Sequence, residues 1–216
     1  MKRFAVAKAR LGDDLSAGTR RALAESMVTD VVMALRRTKV IDEVLIVTSE
    51  PTVEAIGHGY GATVISDPHE QGQSAAALIG ITHALEQGAV RVLLVPGDCP
   101  ALDPAEVTDL LDKPAIGRSV TLVPDRHGTG TNALLLVPPD VIEPAFGVDS
   151  RARHEQAAAA AGVPFDVESV STLLIDVDTG DDLAALRQLL ADHRGGAAHT
   201  RGMLSRLAGR ERPPAG

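Results

Sequence analysis

Short apolar runs alternate with stretches of helical periodicity through the first half of the chain. Residues 43–48, 62–66, 91–95 and 119–123 are brief, rich in Val, Ile and Leu, and bounded by turn formers. Such runs read as buried strands. Ahead of them, Ser16 precedes a stretch in which Leu23, Met27, Val31 and Leu35 recur at four-residue spacing. That spacing predicts a capped amphipathic helix. Residues 51–57 predict a short helix, and residues 74–87 an Ala-rich one that stops at Gly88. Pro104 suits the first turn of a helix over 105–111, with Asp103 as its cap. The order strand, helix, strand, helix predicts an α/β fold: a Rossmann-like, mainly parallel sheet with helices on both faces.

The pattern changes after residue 119. Strands at 119–123 and 133–137 flank a polar loop, a helix follows at 151–161, and strands are predicted at 165–170 and 173–177. Thr179 can cap a last helix over 181–192. From Arg194 onward Gly, Ala, Pro and five arginines replace the periodicity. Residues 1–192 therefore read as one folded domain and 193–216 as a basic, mobile tail with one short helical turn around 203–207. At the other end the chain opens on Met1-Lys2-Arg3-Phe4, already polar. The apolar strand that normally starts a doubly wound sheet is missing, or the recorded start lies downstream of the true one.

Composition narrows the function. Aromatics make up 2 % of the chain and Trp is absent, so no base-stacking platform is available. A net charge of −8 also argues against nucleic acid, whose phosphates demand a basic face. An acidic chain can still take phosphates if a divalent metal supplies the positive charge. The lone Cys99 excludes a disulfide framework and a multi-cysteine metal site, and reads as a packing residue. No run of about eighteen apolar residues could span a membrane, and no signal peptide opens the chain, so a cytoplasmic protein is expected.

Candidate chemistry gathers at strand ends. The run Asp125-Arg126-His127-Gly128-Thr129-Gly130-Thr131-Asn132 lies between two strands, and its glycines, hydroxyls and free N–H groups suit an anion. It is no Walker A loop, because the Gly-Lys-Ser/Thr ending is absent. Asp98 follows the strand at 91–95, where ligands of open α/β sheets bind, and a carboxylate there can hold a hard cation. Asp176 and Asp178 flank Val177, so alternation places both on one face. Two adjacent carboxylates repel unless a cation lies between them, although Asp178 could instead cap the next helix. Lys2, Lys8 and Arg10 could neutralise a polyphosphate; alone they read better as a solvated basic terminus. Ser150, after Gly147, could capture an anion at a helix start or serve as an ordinary cap. His154 lies one turn further on, with Arg151 and Arg153 beside it and no Asp partner to suggest a hydrolase triad.

In this order five motifs resemble the 2-phospho-L-lactate / phosphoenolpyruvate guanylyltransferase family of coenzyme F420 biosynthesis. They are Lys8-Ala9-Arg10-Leu11, Gly97-Asp98-Cys99-Pro100-Ala101-Leu102, the 125–132 loop, Phe146-Gly147-Val148-Asp149-Ser150 with His154, and Asp176-Val177-Asp178. The resemblance implies a nucleotidyltransferase domain of the GT-A-like type with a β extension, over 1–192. It implies Mg²⁺-dependent transfer of GMP from GTP to phosphoenolpyruvate or 2-phospho-L-lactate, with pyrophosphate released. Asp98, Asp176 and Asp178 would be the metal ligands; Thr131, Gly147 and Ser150 would hold the phosphorylated acid. Lys8 and Arg10, with Lys2, would face the triphosphate, so that Lys8, Arg10 and Asp98 form the catalytic set. The product would pass to the next enzyme of the pathway. The chain departs from the family in lacking the first strand and in lacking an asparagine within Gln71-Gly72-Gln73-Ser74-Ala75-Ala76-Ala77-Leu78. Reaction type therefore rests on more residues than guanine selection. Two alternatives stand beside it: a nucleotidyltransferase for 3-phosphoglycerate or another phosphorylated small molecule, and a non-catalytic nucleotide-binding module.

Overall fold

The computed structural model describes Leu11 and residues 15–113, 117–193 and 195–210. The expected absence of a first strand falls on the opening residues, outside those described. Helix α1, Ala17–Arg37, starts where Ser16 accepts a hydrogen bond from the Thr19 amide. It is followed by β1 (Leu45–Thr48), α2 (Pro51–Gly59), β2 (Thr63–Ser66), α3 (Gln73–Glu86) and β3 (Val92–Leu94). Then come α4 (Pro104–Leu111), β4 (Ser119–Val123), β5 (Ala133–Val137), α5 (Ser150–Ala161) and β6 (Phe165–Val167). Two helices close the chain, α6 (Gly180–Asp192) and α7 (Ala198–Arg210). Asp103 caps α4 as expected, accepting from the Ala105 amide at 2.7 Å.

The α/β architecture is the expected one. β1 and β2 pair in parallel across α2. A second sheet has the order β3-β5-β4-β6, with β4 and β6 parallel. β5 runs antiparallel to both of its neighbours. A direct loop, rather than a helical crossover, joins β4 to β5, and a hairpin of that kind can only be antiparallel. The glycine loop is therefore the tip of a hairpin inserted into the sheet. Its strands bury both faces. Leu122, Leu134 and Leu136 pack with Ala158 of α5, whereas Val123, Ala133 and Leu135 pack with Cys99, Val107 and Leu110. Burial on both sides explains why these strands are almost uninterruptedly apolar.

Two sequence expectations are corrected. The stretch 173–177 forms no strand. Ser171–Leu173 is instead a single 3-10 turn. Glu106 holds it, its carboxylate accepting from the Ser171 hydroxyl and from both the amide and hydroxyl of Thr172. Burial alone would raise the Glu106 carboxyl; these hydrogen bonds outweigh it and hold the group below the usual range. Beyond the turn, residues 174–178 belong to no strand.

The second correction concerns the tail. Residues 198–210 are not a mobile segment with one turn; they form α7, docked against α1. Leu204 and Leu207 are buried in the same core as Leu23, Met27 and Leu186. Asp30, buried within α1, accepts from the His199 and Thr200 amides at 3.1 and 2.7 Å and from His199 Nδ1 at 3.0 Å. A carboxylate from one helix thus caps the N-terminus of another, satisfying amides that a helix start leaves open. No helix among the described residues is long and apolar enough to cross a membrane.

Candidate active site

The acidic half of the site comes from two backbone segments lying side by side. Asp98 follows β3, and its carbonyl accepts from the Val177 amide at 3.3 Å. Ile175 and Val177 are buried while Asp176 and Asp178 alternate toward the other side. The period-two reading therefore holds for these side chains although no strand forms. Burial raises the Asp176 carboxyl above its ordinary value, and the charges of Asp98 and Asp178 push it further up. The hydrogen bond from Asn132 opposes that rise.

Asn132 is the residue that sequence reasoning left without a role. Its carboxamide is buried and donates to Asp176 Oδ1 at 3.2 Å and to the Leu173 carbonyl at 2.8 Å. The end of the glycine loop is thereby tied to the acidic segment. The only signal in the sequence was a carboxamide at the junction of a polar loop and an apolar strand.

The loop itself is built around Asp125. One carboxylate oxygen accepts from the Thr129 and Gly130 amides, both at 3.0 Å. A Cβ on Gly130 would lie 2.7 Å from the other oxygen, closer than packing permits. Gly130→Ala is therefore expected to displace Asp125 and cost about 1–3 kcal/mol of stability. Thermal denaturation checks this; an unchanged midpoint would show that Asp125 swings clear without penalty.

Arg126 reaches from the same loop to Asp182 Oδ1 at 2.7 Å. The other Asp182 oxygen accepts from the Asp178 and Thr179 amides and the Thr179 hydroxyl, closing a capping box at the start of α6. Burial would raise the Asp182 carboxyl; the Thr179 and Asp178 hydrogen bonds and the Arg126 charge outweigh it, so it stays below the usual range.

The hydroxyl half lies on the other side of the loop. Thr131 Oγ1 is 2.9 Å from Ser150 Oγ, at the first residue of α5, and 3.1 Å from His154 Nδ1. Ser150 donates its amide to the Gly147 carbonyl at 3.1 Å. Gly147 has φ +113, a conformation that glycine adopts without penalty, and its missing Cβ leaves room beside the Arg153 guanidinium. Arg153 donates to the Ala145 and Phe146 carbonyls, and Arg151 to that of Gly128. Both arginines brace the walls. The Phe146 amide is held by Ser74 Oγ at the start of α3, at 2.9 Å.

Thr131, Gly147 and Ser150 thus come together, and Asp98 and Asp178 lie close enough to Asp176 for their charges to act on it. Consecutive residues join the groups: Thr131 reaches Ser150 and Asn132 reaches Asp176. Lys2, Lys8 and Arg10 lie outside the described residues. Among the described residues, no group of three or more His, Cys, Asp or Glu side chains stands ready-made for a metal ion. The donors nonetheless suit one: hard oxygens, with Asp176 half-buried beside like charges.

Comparison with known proteins decides the family. The model of the family described as "Guanylyl transferase CofC like" matches residues 1–208.

The chain belongs to the CofC-like guanylyl transferase family.

It is accordingly an enzyme of the nucleotidyltransferase class. A phosphoenolpyruvate guanylyltransferase of Conexibacter woesei is 52 % identical over 208 residues, covering 96 % of this chain and 93 % of that protein. One of Sphaerobacter thermophilus is 37 % identical over 186 residues, covering 86 % and 89 %. Among solved structures, a nucleotide-diphospho-sugar transferase of Desulfovibrio desulfuricans superposes with a TM-score of 0.70 at 17 % identity, covering 94 % of this CofC-like chain and 89 % of that one. A Methanothermobacter nucleotidyl transferase gives a TM-score of 0.59 at 21 % identity, covering 77 % and 79 %. Both structures show the nucleotidyltransferase fold.

Proposed function

We propose that this CofC-like enzyme transfers GMP from GTP to phosphoenolpyruvate. Thr131, Gly147 and Ser150 hold the acid, and Asp98, Asp176 and Asp178 hold Mg²⁺. The observation that carries this reading is the Thr131–Asn132 junction, which sets a buried pair of hydroxyls back to back with the acidic group at half-buried Asp176. Relatives named as phosphoenolpyruvate guanylyltransferases, similar over nearly the whole chain, support the choice of acid.

The chemistry needs what these residues offer. A phosphate oxygen of the acid attacks the α-phosphorus of GTP, and the bond from that phosphorus to the oxygen bridging to the β-phosphate breaks. Pyrophosphate leaves with that oxygen. The attacking phosphate is already ionised at neutral pH, so no strong base is called for. The buried hydroxyls orient the acid, and the acidic group opposite defines where positive charge belongs. A bound divalent cation would supply neutralisation of the phosphate charge that builds up there. Lys8 and Arg10 are assigned to the triphosphate on family resemblance. The product is a mixed diphosphate, which we assign to hand-off to the next enzyme of coenzyme F420 biosynthesis.

The test is pyrophosphate release from pure protein given GTP, Mg²⁺ and, separately, phosphoenolpyruvate, 2-phospho-L-lactate or 3-phosphoglycerate. Release with phosphoenolpyruvate is expected to be fastest; no release with any of the three would sink the reading. Thr131→Ala is expected to raise KM for the acid about tenfold, the worth of one hydrogen bond to an anion, with KM for GTP unchanged. An unaltered KM for the acid would remove Thr131 from the pocket.

A further inference from the structure

His154 is fully buried on α5, one turn beyond Ser150, and no step above uses it. Both of its ring nitrogens are engaged. The Ala145 amide donates to Nε2 at 2.8 Å. An amide cannot accept, so Nε2 must carry a lone pair, and the proton of the neutral ring is on Nδ1. Nδ1–H then donates to Thr131 Oγ1 at 3.1 Å. Burial, with the Arg153 charge nearby, pushes the ring pKa down to about 4, consistent with a neutral imidazole. The Phe146 ring packs edge-on against it, with centroids 5.3 Å apart.

The tautomer has a consequence for the hydroxyl pair. Thr131 and Ser150 hold two hydroxyl protons, and their mutual contact at 2.9 Å uses one. If Nδ1 were an acceptor, Thr131 would give its proton to the ring and Ser150 would give its own to Thr131. Nothing would be left to donate. With Nδ1 as donor, the Thr131 oxygen is already occupied on the ring side. One hydroxyl proton of the pair is then free for an incoming anion.

We propose that His154 is a positioning residue of the acceptor pocket: the Ala145 amide sets its Nδ1–H tautomer, and that tautomer leaves the Thr131–Ser150 pair one proton to donate to the phosphorylated acid. This rests on the acceptor-pocket reading above. The same histidine also joins the pocket's walls, touching the glycine loop through Thr131 and the 145–147 segment through Ala145.

Two variants and one spectrum test it. His154→Phe fills the space without either hydrogen bond, and its KM for phosphoenolpyruvate is expected to rise about tenfold, with KM for GTP unchanged. His154→Asn can place an amide N–H near the Nδ1 position and is expected to recover most of that loss. In ¹⁵N-histidine-labelled parent protein, the His154 ring should show a protonated Nδ1 and an unprotonated Nε2. An Nε2–H tautomer would overturn the proposal. So would equal acid KM values in the two variants, or loss of thermal stability in the Phe variant with KM for the acid unmoved. If the parent releases no pyrophosphate, the proposed reaction fails by itself. Calorimetric binding of phosphoenolpyruvate to parent and variants, with the tautomer, then decides the role of His154 by the same criteria.

Discussion

Asp176→Asn is expected to lower kcat by about a hundredfold or more while leaving the fold as stable as the parent, or more stable. The two halves of this expectation have one cause. Asp176 is half-buried next to Asp98 and Asp178, and its carboxyl is raised by that burial and by those charges. A carboxyl that binds its proton more tightly in the folded protein favours folding at low pH. That stabilisation is fully present below the unfolded value of about 3.9 and is lost as pH rises through the folded one. At neutral pH the ionised group therefore costs stability, and a neutral carboxamide removes the cost. The thermal midpoint of Asp176→Asn should exceed that of the parent near pH 7, and the difference should shrink as pH is lowered toward the carboxylate range. Mg²⁺ should raise the parent's midpoint and leave the variant's nearly unmoved, since a ligand that binds only the folded state stabilises it. Parent-like turnover in the variant, or a Mg²⁺ shift that survives the substitution, would remove Asp176 from the proposed metal site.

Truncation before α7 is expected to lower the thermal midpoint by roughly 10 °C, corresponding to about 4 kcal/mol for a chain of this size. Removing the helix uncovers the α1 face that packs on Leu204 and Leu207. It also takes the His199 and Thr200 amides from Asp30, which is 4 % exposed. A buried carboxylate stripped of its donors costs more than the bonds contributed, because its desolvation remains. The freedom regained by the released segment offsets part of the loss. Asp30→Ala should reproduce a portion of the effect with all residues present. A truncated protein that melts with the parent would return α7 to the status of an appendage.

Helix α7 lies beyond the reach of local sequence rules. Its apolar positions are sparse, and its cap comes from Asp30, about 170 residues away along the chain. Local rules look for a cap at the position before the helix, and they found Thr179 and Asp103 because those lie there. The stretch 173–177 differs from its strand-like pattern for a related reason: Val and Ile alternate correctly, but a strand also needs a neighbour to bond with, and Glu106 instead folds the preceding residues into a turn.

By itself the sequence determined the α/β class, the helix starts with local caps, the apolar strands on either side of the glycine loop, and which residues are candidates for the chemistry. Each of these follows from periodicity or from contacts a few residues apart. Tertiary structure alone decided that Asn132 braces Asp176, that Asp182 joins the glycine loop to α6, that α7 belongs to the core, and which nitrogen of His154 holds the proton. Those depend on groups brought together from distant parts of the chain. Hydrogen-bond direction and charge coupling act over a few ångströms in space, a separation that position along the chain does not encode.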